Sequence, residues 1–130
     1  MSANEGFVLA GGRSSRMGTP KALLPFGRQT LLERAIELLE ALGLPVRLVA
    51  AADQVFEGMS LPVLVDRIPG AGPLGGIYTG LSAAKARNCF FLPADMPLVR
   101  PALFKLMMKS TAGWDAIIPL DRPGSVWPWL

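Results

Sequence analysis

Basic and hydroxyl-bearing side chains crowd one early loop, directly after the apolar run Phe7–Ala10. Two glycines follow that run. The charges and hydroxyls then come from Arg13, Arg16 and Lys21 and from Ser14, Ser15 and Thr19. Glycines after a buried strand let the backbone turn tightly and bring its N–H groups to a ligand, and basic side chains add charge-assisted contacts to an anion. The loop therefore predicts polyphosphate binding.

The spacing of this loop differs from that of two common phosphate-binding loops. A P-loop ends in Gly-Lys followed by Ser or Thr, whereas Gly18 is followed by Thr19. A dinucleotide fingerprint needs a further glycine that opens a helix, and Pro20 and Pro25 prevent a helix there. Either the loop binds a triphosphate in another way, or it is a surface loop with ordinary solvated charges.

Two aspartates each follow a predicted strand. Asp66 follows the apolar run Leu61–Val65 and precedes the glycine-rich stretch 70–76, and Asp95 follows a second run of apolar residues. Ligands of open α/β sheets bind at the carboxyl ends of the strands, so Asp95 is a candidate ligand group. Asp95 could hold magnesium as a hard oxygen ligand or cap the next helix. The glycines could admit a ligand or allow tight helix packing.

The elements that must position these residues alternate between strand and helix. Thr30 and Glu33 have capping-box spacing, and an apolar stripe at helical period then runs to Leu42, before Gly43 and Pro45. Further predicted elements are the strands Val46–Ala52 and Leu61–Val65, the helix Ile77–Arg87, a strand over 90–92, a helix from Pro101 and a fifth strand, Asp115–Pro119. This order predicts an α/β fold with a mostly parallel sheet covered by helices.

Composition excludes several other classes. The chain has 130 residues, 51% of them apolar and 18% charged, which predicts one globular domain. No apolar run approaches the ~20 residues of a membrane span, and Met1–Glu5 lacks the features of a signal peptide, so no membrane partner is expected. A net charge of +3 without a basic run predicts no nucleic-acid partner. The single cysteine, Cys89, favours a reducing cytoplasm.

The stretch Leu9–Lys21 resembles the signature loop of nucleotidyltransferases that use nucleoside triphosphates, and among these it is most similar to the MobA family of molybdenum cofactor guanylyltransferases. Gly72–Ile77 looks like the Gly-Pro-Leu motif of that family. The resemblance implies a three-layer, Rossmann-like nucleotidyltransferase sheet. It also implies transfer of GMP from GTP to molybdopterin with release of pyrophosphate, in molybdenum cofactor biosynthesis.

The resemblance also implies roles for individual residues. Backbone groups would hold the base and ribose at Leu9, Ala10, Gly11 and Gly12. The implied catalytic residues are Lys21 and Arg16, which would stabilise charge on the phosphates, and Asp95, which would hold Mg²⁺. Asp66 falls on the GTP-binding aspartate of the family, and its carboxylate could accept from the N1–H and exocyclic amine of guanine.

The chain departs from the family pattern in two places. The family has a nucleotide-binding asparagine where this chain has Val49–Asp53, so that contact is left unassigned. The resemblance ends at Pro119, and 120–130 is an atypical tail. We therefore expect a single domain, 1–130, that is incomplete at its C-terminus and self-associates through the shortened side.

Two alternative functions stay open. One is a cytidylyltransferase for the same pterin or for another phosphorylated metabolite. Such relatives tend to have Leu-Ala-Ala-Gly in the loop and to lack the Gly-Pro-Leu motif, so Gly11, Gly12 and the Gly72–Ile77 stretch favour guanine. The other is a catalytically impaired remnant that still binds nucleotide.

Overall fold

A parallel sheet of four strands carries the fold. The computed structural model describes residues 3–11, 21–52, 56 and 59–120. Its elements in chain order are β1 (Asn4–Leu9), a 3₁₀ helix (Lys21–Leu23), β2 (Pro25–Phe26), β3 (Gln29–Thr30), α1 (Leu31–Ala41), β4 (Val46–Ala50), β5 (Val63–Val65), α2 (Pro73–Ala83), β6 (Asn88–Pro93) and α3 (Pro101–Lys109). The sheet order is β5-β4-β1-β6, with every pair parallel. The predicted α/β class is confirmed.

Helices cover both faces of the sheet. Alternate residues of a strand point to opposite faces. On β1, Gly6 faces Leu39 of α1, whereas Phe7 faces Gly80 of α2. α3 packs its buried Phe104 against Phe90 of β6, with the ring centroids 6.3 Å apart. These contacts produce a three-layer arrangement of helix, sheet and helix.

The first helix forms where the capping box and the apolar stripe predict it. Thr30 Oγ1 accepts a hydrogen bond from the Glu33 N–H at 3.1 Å, and Glu33 Oε1 accepts one from the Thr30 N–H at 3.2 Å. Gly43, with φ +79°, turns the chain after the helix. Local sequence is sufficient here because both capping partners lie within one helical turn.

The predicted bounds of the second helix, Ile77–Arg87, are wrong at both ends, since α2 spans Pro73–Ala83. α2 begins at Pro73, whose fixed φ suits the first helical turn, after Gly72 has turned the backbone with φ +63°. Glycine continues inside the helix because the sheet leaves no room for a side chain. A Cβ on Gly80 would lie 2.6 Å from Cε1 of Phe91. Tight helix packing is thus one purpose of the small residues.

A buried ion pair ends the second helix. Arg47 Nη2 donates to the carbonyl of Ala83 at 2.7 Å, and Arg47 Nε donates to Glu5 Oε1 at 2.7 Å. Glu5 Oε2 accepts from the Lys85 N–H at 3.0 Å. The pair therefore satisfies backbone groups that a helix terminus leaves without partners. It lies at the amino end of β1, at the opposite end of the sheet from the two aspartates.

Two further elements differ from expectation. Pro25–Thr30 forms a small antiparallel hairpin, β2–β3, that the sequence analysis did not predict. The predicted fifth strand over Asp115–Pro119 is wrong, because this segment runs as irregular backbone along an apolar cleft between β6 and α3. An apolar run becomes a strand only when another strand offers its backbone groups, and β6 pairs with β1 alone in the described part of the chain. Among the described residues, no helix is long and apolar enough to cross a membrane.

Candidate functional site

A cavity of about 640 Å³ opens at the carboxyl ends of the parallel strands. Backbone hydrogen bonds just beyond the strands hold this edge together. The Ala10 N–H donates to the carbonyl of Val49 at 2.9 Å, and the Ala94 N–H donates to the carbonyl of Leu9 at 3.0 Å. The Asp66 N–H donates to the carbonyl of Ala50 at 2.8 Å. In open α/β sheets this is the edge at which ligands bind.

The cavity brings together residues that the sequence analysis singled out. Its lining includes Leu9, Ala10, Gly11, Asp66 and Asp95. The other lining residues are mostly small or apolar, namely Ala22, Val49, Ala50, Ala51, Pro69, Gly70, Gly72, Pro73, Gly76, Pro93 and Ala94. The two carboxylates follow the two outer strands, β5 and β6, so the ends of the two inner strands lie between them.

Three of the predicted site residues are placed only in part or not at all. Gly12 and Arg16 lie outside the described residues. Lys21 opens the 3₁₀ helix next to Ala22, which lines the cavity, and only its backbone is described. Asp53, in the region where the family asparagine is expected, also lies outside the described residues.

Asp66 is half-buried, and one of its oxygens is anchored by the protein. Oδ1 accepts a hydrogen bond from the Ile68 N–H at 2.9 Å and lies 3.3 Å from the hydroxyl oxygen of Thr79. Within the described residues, Oδ2 accepts no hydrogen bond. The carboxylate thus has a fixed side towards the protein and a second oxygen available to a ligand in the cavity.

The glycines of the loop after β5 also shape the cavity. Gly70 and Gly72 have φ of +82° and +63°, a backbone conformation that other residues adopt at a cost. On the other side of the cavity, a Cβ built on Gly11 has no neighbour within 4 Å in the described structure. Glycine at position 11 therefore leaves space in the cavity, and no close contact with the described residues requires it there.

Asp95 is exposed at the mouth of the cavity. The N-cap residue of α3 is Arg100, so the alternative that Asp95 caps this helix is wrong. Among the described residues, no three His, Cys, Asp or Glu side chains cluster as a ready-made metal cage. Mg²⁺ usually binds one or two carboxylates together with substrate phosphates, so a lone exposed carboxylate fits that ion.

Cys89 is not suited to nucleophilic chemistry. Burial raises the pKa of its thiol, the neighbouring carboxylate of Glu5 raises it further, and Arg47 opposes the shift only in part. Since the thiolate is the reactive form, the thiol stays neutral and unreactive at pH 7.

Thr79 was not identified from the sequence, although it is only 1% exposed and lies beside Asp66. A polar residue on a helix face otherwise made of glycines, Gly75, Gly76 and Gly80, was the available signal. Its partner is thirteen residues away in sequence, so periodicity alone could not identify the contact.

Curated relatives match most of the chain. A probable molybdenum cofactor guanylyltransferase of Pelotomaculum thermopropionicum is 37% identical over 114 residues, covering 88% of this chain and 56% of that protein. One from Carboxydothermus hydrogenoformans is 37% identical, covering 93% of this chain and 60% of that protein. A Mycobacterium tuberculosis relative of the same name is 38% identical, with 92% and 62% covered. The chain thus spans about three fifths of the length of these relatives.

Solved structures share the fold. A nucleotidyl transferase from Methanothermobacter thermautotrophicus superposes with a TM-score of 0.70 at 21% identity, covering 84% of this chain and 58% of that one. A Mycobacterium tuberculosis protein solved in complex with manganese gives a TM-score of 0.59 at 22% identity, covering 83% of this chain and 59% of that one. The family pattern described as the MobA-like NTP transferase domain matches residues 6–130, which extends past Pro119, where the resemblance was expected to end. This chain therefore belongs to that family of nucleotidyltransferases.

Proposed function

We propose that the cavity binds GTP with a divalent cation and that the chain is the nucleotide-binding part of a guanylyltransferase. The reaction would transfer GMP to the terminal phosphate of molybdopterin and release pyrophosphate. The observation that carries this proposal is that Asp66 and Asp95 line one cavity from the ends of the two outer strands of one parallel sheet. The names of the curated relatives support the same reaction.

The base would lie against Asp66. Guanine presents two adjacent donors, the N1–H and the exocyclic amine, and a carboxylate accepts from both. Cytosine and adenine each present an amine next to a ring nitrogen that is a hydrogen-bond acceptor. The lone pair of that nitrogen would be repelled by a carboxylate oxygen. The small residues around Asp66, among them Gly70 and Gly72, leave room for a flat ring.

The triphosphate would extend towards Asp95. Its carboxylate would hold Mg²⁺, which would neutralise charge on the phosphate oxygens. Lys21 and Arg16 would add positive charge on the same group. The loop backbone at Gly11 and Gly12 would contact the nucleotide. Leu9 and Ala10 already use a carbonyl and an N–H to join strand ends, so they would act mainly as the floor of the cavity.

Positioning and charge neutralisation would supply the rate. The acceptor phosphate would attack the α-phosphorus in line, with pyrophosphate leaving, and no protein nucleophile is required. This agrees with a site that holds carboxylates and with an unreactive Cys89. We place the reaction in the cytoplasm, as the single cysteine predicts. Self-association through the C-terminal side stays a prediction.

A transfer assay tests this function. The protein is incubated with molybdopterin, GTP and either magnesium or manganese, because a structural neighbour was solved with manganese. We expect pyrophosphate release that requires both the acceptor and the metal. The proposal would be wrong if pyrophosphate were released from CTP but not from GTP. Nucleotide binding without any release would instead support the impaired remnant.

Gly11→Ala is expected to weaken GTP binding without unfolding the protein. The added methyl would enter the cavity, and forcing extra volume into a fitted site costs ~1–3 kcal/mol, or roughly tenfold in affinity. Calorimetry gives the affinity, and thermal melting gives the stability. The matched control is Gly80→Ala, which should lower the melting temperature because its Cβ would lie 2.6 Å from Phe91. An unchanged GTP affinity in Gly11→Ala would place the nucleotide elsewhere.

Lys21→Ala is expected to weaken binding of GTP far more than binding of guanosine. A charge-assisted hydrogen bond to phosphate is worth ~1.5–3 kcal/mol. Guanosine has no phosphate and makes no such bond, so its affinity should not change. Both affinities are measured by calorimetry, with Lys105→Ala, on the exposed surface of α3, as the control. Equal losses for the two ligands would mean that Lys21 supports the fold.

A further inference from the structure

Thr79 lies under the turn that carries Asp66. Its side chain is 1% exposed, and Oγ1 accepts a hydrogen bond from the Arg67 N–H at 2.9 Å. The hydroxyl proton has two acceptors in reach, the carbonyl of Gly75 at 2.9 Å and Asp66 Oδ1 at 3.3 Å. One hydroxyl thus joins α2 to the backbone directly after Asp66 and lies within hydrogen-bond reach of the carboxylate itself.

The helix face around Thr79 is shaped to seat this turn. Gly75 lies one helical turn before Thr79, on the same face. A Cβ on Gly75 would come within 2.8 Å of the Ile68 carbonyl oxygen and 3.2 Å of Asp66 Oδ1. The missing side chain lets the turn lie directly on the helix. The Ile68 N–H then holds Oδ1 at 2.9 Å from the other side.

These contacts engage one oxygen of the Asp66 carboxylate and leave the other available to a ligand. Oδ1 is bound by the Ile68 N–H and lies beside the Thr79 hydroxyl, while Oδ2 accepts nothing from the described part of the chain. Asp66 lines the cavity. A free aspartate would rotate between orientations, but one held at Oδ1 has a fixed carboxylate plane. Oδ2, whose two lone pairs can accept both guanine donors, then faces the ligand in a single direction. Preorganised acceptors discriminate between ligands better than mobile ones.

We propose that Thr79 is a positioning residue for base selection, which fixes the Asp66 carboxylate so that it favours guanine over other bases. The inference rests on the proposed function, because it assumes that Asp66 contacts the base. Thr79 is buried and does not line the cavity, so its removal should reduce the preference between bases and leave the phosphate contacts unchanged.

The test compares Thr79→Val, which keeps the shape and removes the hydroxyl, with Thr79→Ser, which keeps the hydroxyl. Dissociation constants for GTP, CTP and inorganic triphosphate are measured with magnesium. We expect Thr79→Val to reduce the ratio of GTP to CTP affinity about tenfold, the worth of one hydrogen bond, with triphosphate binding unchanged. Thr79→Ser should retain the wild-type ratio. In an Asp66→Asn background, Thr79→Val should change the ratio no further.

Each failure has a separate signature. A wild-type protein without any preference for GTP would overturn the proposed function together with this inference. A wild-type preference that persists in Thr79→Val would overturn the inference alone. Equal weakening of GTP, CTP and triphosphate would also overturn it, because that pattern indicates general loosening of the structure. If Thr79→Val does not fold, Thr79→Ala, which removes volume without placing a methyl against the Arg67 N–H, serves for the same measurements.

Discussion

Asp95→Asn is expected to abolish the gain in GTP affinity that magnesium provides and to slow guanylyl transfer at least about a hundredfold. The substitution keeps the shape of the side chain and removes the charge that would hold the ion. A bound metal contributes several kcal/mol of charge stabilisation, and each 1.4 kcal/mol is a factor of ten in rate. GTP titrations with and without magnesium, and the initial rate of pyrophosphate release, give both values.

The melting temperature distinguishes a role of Asp95 in metal binding from a role in the fold. Asp95 is exposed and does not cap α3, so the melting temperature without ligand should stay nearly unchanged. Asp115→Asn is the matched control, because Asp115 is an exposed carboxylate that lines the apolar cleft and not the cavity at the strand ends. A large fall in the melting temperature of Asp95→Asn, with the magnesium effect intact, would show that Asp95 supports the fold.

Glu5→Ala is expected to lower the free energy of unfolding by ~3–5 kcal/mol, the usual cost of removing one partner from a buried ion pair. Glu5 and Arg47 side chains are only 7% and 13% exposed. The substitution leaves the guanidinium without its carboxylate and the Lys85 N–H without its acceptor. Such a loss is a large part of the ~5–15 kcal/mol typical of a whole domain. Urea unfolding measures the change.

The position of this pair allows a further check. It lies at the amino end of β1, away from the cavity, so the protein that remains folded should bind GTP as tightly as wild type. Glu40→Ala, at an exposed position of α1, is the control and should change stability by no more than about 0.5 kcal/mol. A similar small change in Glu5→Ala would mean that solvent, and not Arg47, balances the charge of Glu5.

The features that could be predicted from sequence are those encoded within a few residues. The capping box of Thr30 and Glu33 and the start of α3 at Pro101 are local, and the structure has both. The parallel sheet followed from the alternation of strands and helices. The placement of Asp95 at the ligand-binding edge followed in turn from the rule that ligands bind at the carboxyl ends of parallel strands. Asp66 was identified through the family resemblance.

The features that were missed depend on contacts between distant residues. Glu5 and Arg47 are 42 residues apart, so neither could be recognised as the partner that ends α2. Gly75 and Gly76 are typical of a loop in sequence, but both belong to α2, where Gly75 lies under the Ile68 carbonyl and Gly76 packs against Leu9. Asp115–Pro119 has strand composition, yet the described structure gives it no backbone partner.

Base preference is the most direct test of whether Asp66 recognises the nucleotide. Calorimetric titration of the unmodified protein with GTP, CTP and ATP, each with magnesium, measures whether the carboxylate at the end of β5 selects guanine. We expect GTP to bind most tightly, since among these three bases only guanine offers Asp66 two adjacent donors. Binding of CTP as tight as that of GTP, or tighter, would rule out guanine selection by Asp66.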